Sequence, residues 1–438
     1  MPKIFDLSLK LNGYPIDAAR QRLNEIIDVP ENEYAAFIED RKRDIVAYHL
    51  ANNPFYRALH FTDQFDSWEA VPVMQKADFQ KPLAERLSKG FTTGNVYVNK
   101  TSGSSGNPFI FAKDKFCHAL IWANIMRRFA WYGIDFNHSC QARFYGMPLD
   151  FRANKMLRLK DFFANRYRFN IFDLSDKGLS EITSRFRKKK FDYINGYTSS
   201  IVMLAKYLRT NNTILKDICP TLKVCIVTSE MLFEEDKKLL EMQFNVPVIN
   251  EYGASELDVI AFQDLNDDWL VNAETLFVEI LDENNMPVPN GQQGKIVVTS
   301  LYNFAHPMIR YDVGDYGVLD EKSTAKKPLL KKLVGRTNDF AVLPSGKKPA
   351  GMTFYSITKK LFDGDGNVKE FVIKQTKLDT FEIDYTSERP LNDNEIEKMK
   401  QVFSTFLEPG LNYVVNRRNQ LDRGTTGKLK QFISLIKQ

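Results

Sequence analysis

The chain has 438 residues, 43% hydrophobic and 26% charged, with a formal net charge of +5. That length exceeds one ordinary core and predicts about two or three domains. The mild charge does not call for a nucleic-acid partner, and no apolar run approaches the ~20 residues of a membrane span. Asp6 and Lys10 interrupt any signal-like start, so a cytoplasmic protein with no membrane span is expected. The four cysteines, Cys117, Cys140, Cys219 and Cys225, form no C-x-x-C pair. Cys117-His118 and His138-x-Cys140 match no common zinc spacing, so buried reduced thiols are expected rather than a structural metal. Basic runs at Arg187-Lys188-Lys189-Lys190 and at Lys326-Lys327 with Lys331-Lys332 read as solvated faces, with an anionic substrate the alternative.

In chain order, residues 1–60 read as helical. The run from Glu31 to Leu50 places Tyr34, Phe37, Ile38, Ile45 and Tyr48 on one face and stops at Asn52-Asn53-Pro54. Val96 to Lys100 and Phe109 to Phe111 read as short strands, Asp114 to Trp131 as a helix, and Ala142 to Pro148 as a strand ending in a turn. Leu179 to Arg187 is amphipathic, Phe191 to Tyr197 a strand, and Ser199 to Arg209 a helix. Leu222 to Thr228, Phe233 to Phe244 and Val246 to Asn250 form a strand–helix–strand unit, which argues a parallel sheet. The loops after its strands, Ser229-Glu230 and Glu251-Tyr252-Gly253, then fall where open α/β sheets bind ligands. Leu276 to Leu281, Gly294 to Leu301 and Tyr316 to Leu319 are strands, with a hairpin turn at Asp282 to Asn285. Beyond Gly335 to Asp339, the best boundary, comes a smaller unit. It holds a hairpin at Pro344 to Gly351, strands near Phe371–Gln375 and Thr380–Tyr385, a helix from Asn392 to Leu407 and a strand at Tyr413–Asn416. The fold class is α/β: a large multi-sheet N-terminal domain (1–336) with parallel β–α–β units and a β-rich part, and a small α+β C-terminal domain (337–438).

Between the first two strands lies Thr101-Ser102-Gly103-Ser104-Ser105-Gly106, four hydroxyls and two glycines in six residues. Inward-turned backbone N–H groups and hydroxyls make such a loop a nest for phosphate oxygens. A flexible Gly/Ser linker is the alternative, although linkers are not usually pinched between two short apolar strands. It is not a Walker loop, because no Lys-Ser or Lys-Thr follows Gly106.

This loop is followed in order by Glu251-Tyr252-Gly253-Ala254-Ser255-Glu256, Arg310-Tyr311-Asp312-Val313-Gly314-Asp315, Gly335-Arg336-Thr337-Asn338-Asp339 and Thr426-Gly427-Lys428. With these motifs the chain closely resembles the adenylate-forming (AMP-binding) superfamily of acyl-CoA synthetases. Within it the chain looks most like the phenylacetate–CoA ligase family, and like the subgroup found with capsular polysaccharide synthesis and coenzyme F390 synthetase. Asn53-Pro54-Phe55-Tyr56 and Ile194-Asn195-Gly196-Tyr197 fit that subgroup, and the resemblance covers nearly the whole chain.

The resemblance implies that a carboxylic acid reacts with ATP to give an acyl-AMP and pyrophosphate, so catalysis is mostly positioning and charge stabilisation. It implies that Thr101 to Gly106 hold the β- and γ-phosphates and that Glu256 holds Mg²⁺. Tyr252 would stack on adenine beside Ser229, Glu230, Glu251 and Gly253, with Gly253 leaving room for the base. Asp315 would accept from the ribose hydroxyls, Arg336 would contact ribose and phosphate, and Lys428 would bridge carboxylate and α-phosphate. Asp339 matches the hinge of a mobile C-terminal domain. The acyl pocket would be lined near Phe144, Tyr145, Gly146, Tyr197, Gly253, Ala254 and Ser255, with the acid unnamed. The acceptor is CoA or, on the subgroup resemblance, an amine or hydroxyl on a sugar or amino acid. For CoA, Lys347-Lys348 and the Lys326–Lys332 cluster supply candidate cations. A non-catalytic nucleotide-binding relative is disfavoured because Glu256, Asp315, Arg336 and Lys428 are all present. A homodimer is left open.

Overall fold

The computed structural model describes residues 4–60, 64–101, 109–146, 151–336, 341–347, 349, 367–406, 408–423 and 429–436. The chain divides into two compact units, residues 1–313 with 317–332, and residues 314–316 with 333–438.

The first unit opens with four helices, α1 (Ile4–Leu11), α2 (Ile16–Asp28), α3 (Glu31–Asn52) and α4 (Pro54–His60). Proline stands immediately before α2 and α3 and opens α4, where a missing N–H costs nothing. Along α3, Tyr34, Ile38 and Ile45 of the predicted stripe are buried, Phe37 and Tyr48 are half-buried, and Leu50 is buried as well. The stop at Asn53 is also a start: its Oδ1 accepts from the Tyr56 N–H at 2.8 Å, and its Nδ2 donates to the Arg86 carbonyl at 3.0 Å. A short helix, α5 (Leu83–Arg86), precedes a hairpin of β1 (Tyr97–Lys100) and β2 (Ile110–Lys113), which pair antiparallel. Helix α6 (Lys115–Ala130) follows, capped by Asp114, whose side chain accepts from the Cys117 N–H at 2.8 Å. It packs with α2 and α3 through Leu23, Ile26, Tyr34, Ala119 and Leu120.

The body of this unit is built from β3 (Gln141–Phe144), α7 (Phe151–Phe163), β4 (Arg166–Arg168), α8 (Asp176–Lys188), β5 (Tyr193–Tyr197), α9 (Thr198–Thr210), α10 (Leu215–Ile218), β6 (Val224–Thr228), α11 (Glu234–Phe244), β7 (Val248–Ala254), β8 (Asp258–Gln263) and β9 (Trp269–Val271). Their strands form one seven-stranded sheet in the order β4-β3-β5-β6-β7-β8-β9. The first five are parallel, and β8 and β9 are antiparallel. Ala142, Phe144, Ile194, Cys225, Val227 and Val248 share a buried core with Ile182 and Phe186 of α8, Leu204 and Leu208 of α9, and Leu240 and Phe244 of α11. On the other side, Tyr193, Val224, Ile226 and Ile249 pack with Phe129 of α6 and with Phe262. Asn245 closes α11 in the left-handed conformation at φ 52°, as helix ends favour.

A second sheet is formed by β10 (Leu276–Leu281), β11 (Gln293–Ser300), β12 (Tyr311–Leu319) and β13 (Leu330–Arg336) in sequential order. The second compact unit contains β14 (Val368–Lys377), β15 (Thr380–Ser387), α12 (Asp393–Phe406), β16 (Asn412–Arg417) and β17 (Phe432–Ser434), with sheet order β16-β15-β14-β17. Met399 and Phe403 of α12 bury against Ile373, Phe381 and Ile383 of that sheet. All four cysteines are free and buried. Among the described residues no group of three His, Cys, Asp or Glu side chains gathers as a cation site, and no helix is long and apolar enough to cross a membrane.

The sequence pattern anticipates most of these elements, with particular differences. Helix α7 and strands β4, β8, β9 and β17 are not among the elements read from the pattern. The strand expected to end at Asn250 runs on to Ala254. Glu251, Tyr252 and Gly253 are therefore strand residues and not a loop, because β8 pairs with them.

Candidate functional site

The carboxyl ends of β3, β5, β6 and β7 lie side by side. The register sets Phe144 opposite Gly196, Tyr197 opposite Thr228, and Thr228 opposite Glu251. Thus the stretches beginning at Phe144, Tyr197, Ser229 and Glu251, far apart in sequence, share one rim, where parallel sheets bind ligands.

Strand alternation divides these residues between two faces. Phe144 is fully buried in the apolar core, 4.9 Å from Phe169 between ring centroids, so it supports the sheet and does not wall a pocket. Tyr145 belongs to the other side. Its hydroxyl donates to Asn195 Oδ1 at 3.0 Å, and its ring sits edge-on to Tyr197 at 5.0 Å. Asn195 is a buried hub: Oδ1 also accepts from Gln141 Nε2 at 3.2 Å, while Nδ2 donates to the Ile226 carbonyl at 3.2 Å. The Gly146 carbonyl accepts from Arg168 Nη1 at 3.2 Å. Glu251 lies beside Thr228, and burial pushes its carboxyl up from the usual 4.5 to about 7, against a hydrogen bond from Thr228 and attraction from Arg143.

Ser229, the first residue past β6, is exposed and holds φ at 69°, a conformation that costs a non-glycine residue about 1–3 kcal/mol and clusters at ligand sites. Next to it the Glu230 carboxylate accepts from the Ser199 N–H at 2.7 Å, and the Glu230 carbonyl accepts from Thr198 Oγ1 at 3.2 Å. Glu230 therefore caps α9 at the same rim. Tyr252 is 7% exposed and edge-on to Trp269, with ring centroids 6.2 Å apart. Gly253 has a structural cause: a Cβ there would stand 2.2 Å from the Asp258 carbonyl oxygen, at the irregularity where β7 and β8 pair. The glycine is explained by this close approach of backbones, not by room for a base. Ala254 is half-buried and Ser255 exposed, leading to Glu256 at 8% exposure.

Glu256 Oε1 accepts from the Tyr311 hydroxyl at 2.9 Å, and Oε2 has no protein partner among the described residues. A carboxylate held at one oxygen and open at the other fits a hard cation that takes its remaining ligands from phosphate and water. Arg310, before Tyr311, serves the frame: Nη1 donates to the carbonyls of Glu69 at 3.0 Å and Val71 at 2.6 Å, and Nη2 to that of Asn285 at 3.1 Å. Further along β12, Asp315 is nearly buried.

The neck of the Gly/Ser loop is closed twice. The Thr101 N–H donates to the Phe109 carbonyl at 2.9 Å, and the Phe109 N–H donates to Thr101 Oγ1 at 3.0 Å. Ser102, Gly103, Ser104, Ser105 and Gly106 lie outside the described residues, as do Asp339, Lys348 and Lys428 and the Arg336 side chain. Of the cations considered for CoA, Lys326 donates to the carbonyls of Ile27 at 2.8 Å and Val29 at 2.6 Å, at the end of α2, and Lys331 pairs with Glu321 at 2.9 Å. Lys326 thus holds a distant helix end, and Lys331 an ion pair near it in sequence.

No protein-family model matches the chain. Protein CapK of Staphylococcus aureus is 21% identical over 382 residues, 84% of this chain and 80% of CapK. A solved 2-hydroxyisobutyryl-CoA ligase, in the postadenylation state with R3-HIB-AMP, superposes with a TM-score of 0.70 at 18% identity, over 93% of this chain and 90% of that one. The chain has the adenylate-forming ligase fold. ATP-bound MatB from Rhodopseudomonas palustris matches that fold less fully, with a TM-score of 0.54 at 14% identity over 77% of this chain and 66% of MatB. An anthranilate CoA ligase in complex with anthranoyl-AMP matches at 0.54 and 12% over 76% and 64%.

Two residues on this adenylate-forming fold escape a reading of motifs alone. Lys113, fully buried at the end of β2, pairs with Asp258 and tethers the hairpin bearing the Gly/Ser loop to the turn bearing Glu256. Arg143 sits on β3 two residues before Tyr145, with its guanidinium 4.3 Å from that ring's centroid. Neither belongs to a short motif. The signal for each is a cation in a short buried strand, which has meaning only once its neighbours are known.

Proposed function

We propose that this protein is an ATP-dependent, AMP-forming acid ligase. It activates a carboxylic acid as an acyl-AMP, releases pyrophosphate, and passes the acyl group to CoA in the manner of phenylacetate–CoA ligases. The observation that carries the reading is the shared rim of Tyr145, Tyr197, Ser229 and Glu251, joined to a turn where Glu256 offers one open oxygen, on a fold whose relatives hold acyl-AMP.

In this reading the acid lies along the rim near Tyr145, Gly146, Tyr197 and Ala254, with ATP over Ser229 to Tyr252. Thr101 to Gly106 hold the phosphates that leave as pyrophosphate, and Asp315 and Arg336 hold the ribose side of the nucleotide. Glu256 holds Mg²⁺, which when bound neutralises the phosphate oxygens. Lys428 bridges the acid's carboxylate and the α-phosphate, reducing the repulsion between two anions. The boundary is drawn between 336 and 337, and Asp339 is the hinge that lets the C-terminal domain turn between half-reactions. The likeness to CapK favours a second reading, in which an amine or hydroxyl acceptor replaces CoA.

Hydroxylamine trapping across aryl, fatty, amino and sugar acids, repeated with CoA, tests both readings. A hydroxamate with one acid class and thioester formation on adding CoA supports the first. A hydroxamate with no thioester selects the second, and no acid-dependent pyrophosphate release rejects both. Lys428→Ala is expected to abolish acyl-AMP formation while ATP still binds, whereas Asp339→Pro is expected to permit adenylation and block the transfer step.

A further inference from the structure

The polar side of the rim carries a cation that the proposed reaction does not use. Among the described residues, Arg143 Nη1 makes one long hydrogen bond, 3.3 Å to Gln141 Oε1, and Nε is sealed from solvent without a partner. The described charged and titratable groups that act on it are Arg166 and Arg168 on β4, Asp161 on α7, Tyr145 and Glu251. Asp161 is already paired with Arg168 at 2.9 Å, and Glu251 is pushed toward its neutral form by burial. Cations outnumber committed carboxylates, and burial pushes the Arg143 guanidinium down to about 10. A desolvated guanidinium without a carboxylate is costly to keep, and its planar fork suits a carboxylate.

We infer that Arg143, on the floor of the acyl site beside Tyr145 and Asn195, receives a second carboxylate at the far end of the acid, so that the substrate is a dicarboxylic acid. The inference rests on the acid-ligase reading and adds the class of acid. Reaction occurs at the carboxylate near the nucleotide, and the distal one stays intact as the anion that Arg143 holds. Phenylacetic and simple fatty acids would leave the guanidinium unpaired and are expected to be poor substrates.

Matched acids that differ at the far end test this: glutarate against valerate, adipate against hexanoate, and 4-carboxyphenylacetate against 4-methylphenylacetate, each read by hydroxamate formation. The wild-type protein is expected to favour one of the dicarboxylates by about tenfold to a hundredfold in kcat/KM, the worth of a charge-assisted hydrogen bond. In Arg143→Met that ratio is expected to fall to near one, through a higher KM for the dicarboxylate, with Arg143→Lys between. Thermal melting and ATP binding report whether the variants fold, and the wild-type ratio decides alone if they do not. A wild-type preference for the methyl-ended acids, equal use of both, or an equal loss for both in Arg143→Met overturns the inference and leaves the ligase reading standing. No hydroxamate from any acid overturns the ligase reading and this inference with it.

Discussion

The two faces of the seven-stranded sheet solve different problems. On one, Ala142, Phe144, Ile194, Cys225, Val227 and Val248 form an unbroken apolar surface beneath three helices. On the other, Tyr193, Val224, Ile226 and Ile249 are packed in a core, and then Arg143, Tyr145, Asn195, Thr228 and Glu251 turn polar within three residues of the strand ends. The first face is all stability. The second changes from stability to chemistry partway along each strand, so its polar groups stand on a rigid base and can be held unpaired or off their usual pKa.

The most damaging way to break this contrast is to put a charge on the wrong face. Val227→Asp buries a carboxylate among Ile182, Leu204 and Leu240 with nothing to pair it, and is expected to cost about 3–5 kcal/mol or more, seen as loss of the cooperative transition in thermal melting. The reciprocal change, Thr228→Val one residue on, is expected to melt within a few degrees of wild type while altering the titration of Glu251.

Next in size is the Lys113–Asp258 pair. Asp258→Asn leaves a fully buried ammonium without its counter-charge and is expected to cost about 3 kcal/mol. Lys113→Met is expected to cost less, because Asp258 is 29% exposed on its side chain and can be rehydrated. The double variant is expected to recover most of the loss in a double-mutant cycle, since two neutral groups of similar size replace the pair. Equal and additive losses would mean that the tether is not a pair.

Glu251 gives the smallest stability effect and the most specific one. Its folded-state pKa lies near 7 and its ordinary value at 4.5. Below pH 4.5 both folded and unfolded states carry the proton, and the group contributes no penalty. Between about 4.5 and 7 the unfolded chain releases the proton and the folded one retains it, so stability falls as pH rises, and above 7 the loss is constant. Glu251→Gln removes that slope. Urea unfolding at pH 4.5, 6 and 8 is expected to show the variant gaining about 1–3 kcal/mol on wild type across this window. A constant difference would place the Glu251 carboxyl in an ordinary, hydrated setting.

Local patterning made the apolar face legible, because continuous runs such as Val224 to Thr228 and a stripe such as that of α3 encode burial directly. The rim was legible as a set of strand ends, which supplied Ser229 and Glu230, and the motifs supplied Glu251 and Glu256. Long-range pairing was not legible. Glu251 to Gly253 look like a loop until β8 arrives to pair with them, and Gly253 looks like space for a ligand until Asp258 fills it. Phe144 adjoins Tyr145 in sequence, yet strand alternation sends one to the core and the other to the rim. Helix α7 escaped because it leaves Met156, Leu159, Phe162 and Phe163 exposed, so its pattern has no single buried face. Arg143 and Lys113 resemble surface residues in a strand, and their meaning comes from partners on other elements.

Acid-dependent exchange of labelled pyrophosphate into ATP tests the central claim most directly, because it requires a reversible acyl-AMP and nothing from the acceptor. The account predicts exchange that appears only with an acid present and is lost in Glu256→Gln while ATP still binds. ATP binding without exchange for any acid, or exchange that survives Glu256→Gln unchanged, would contradict it.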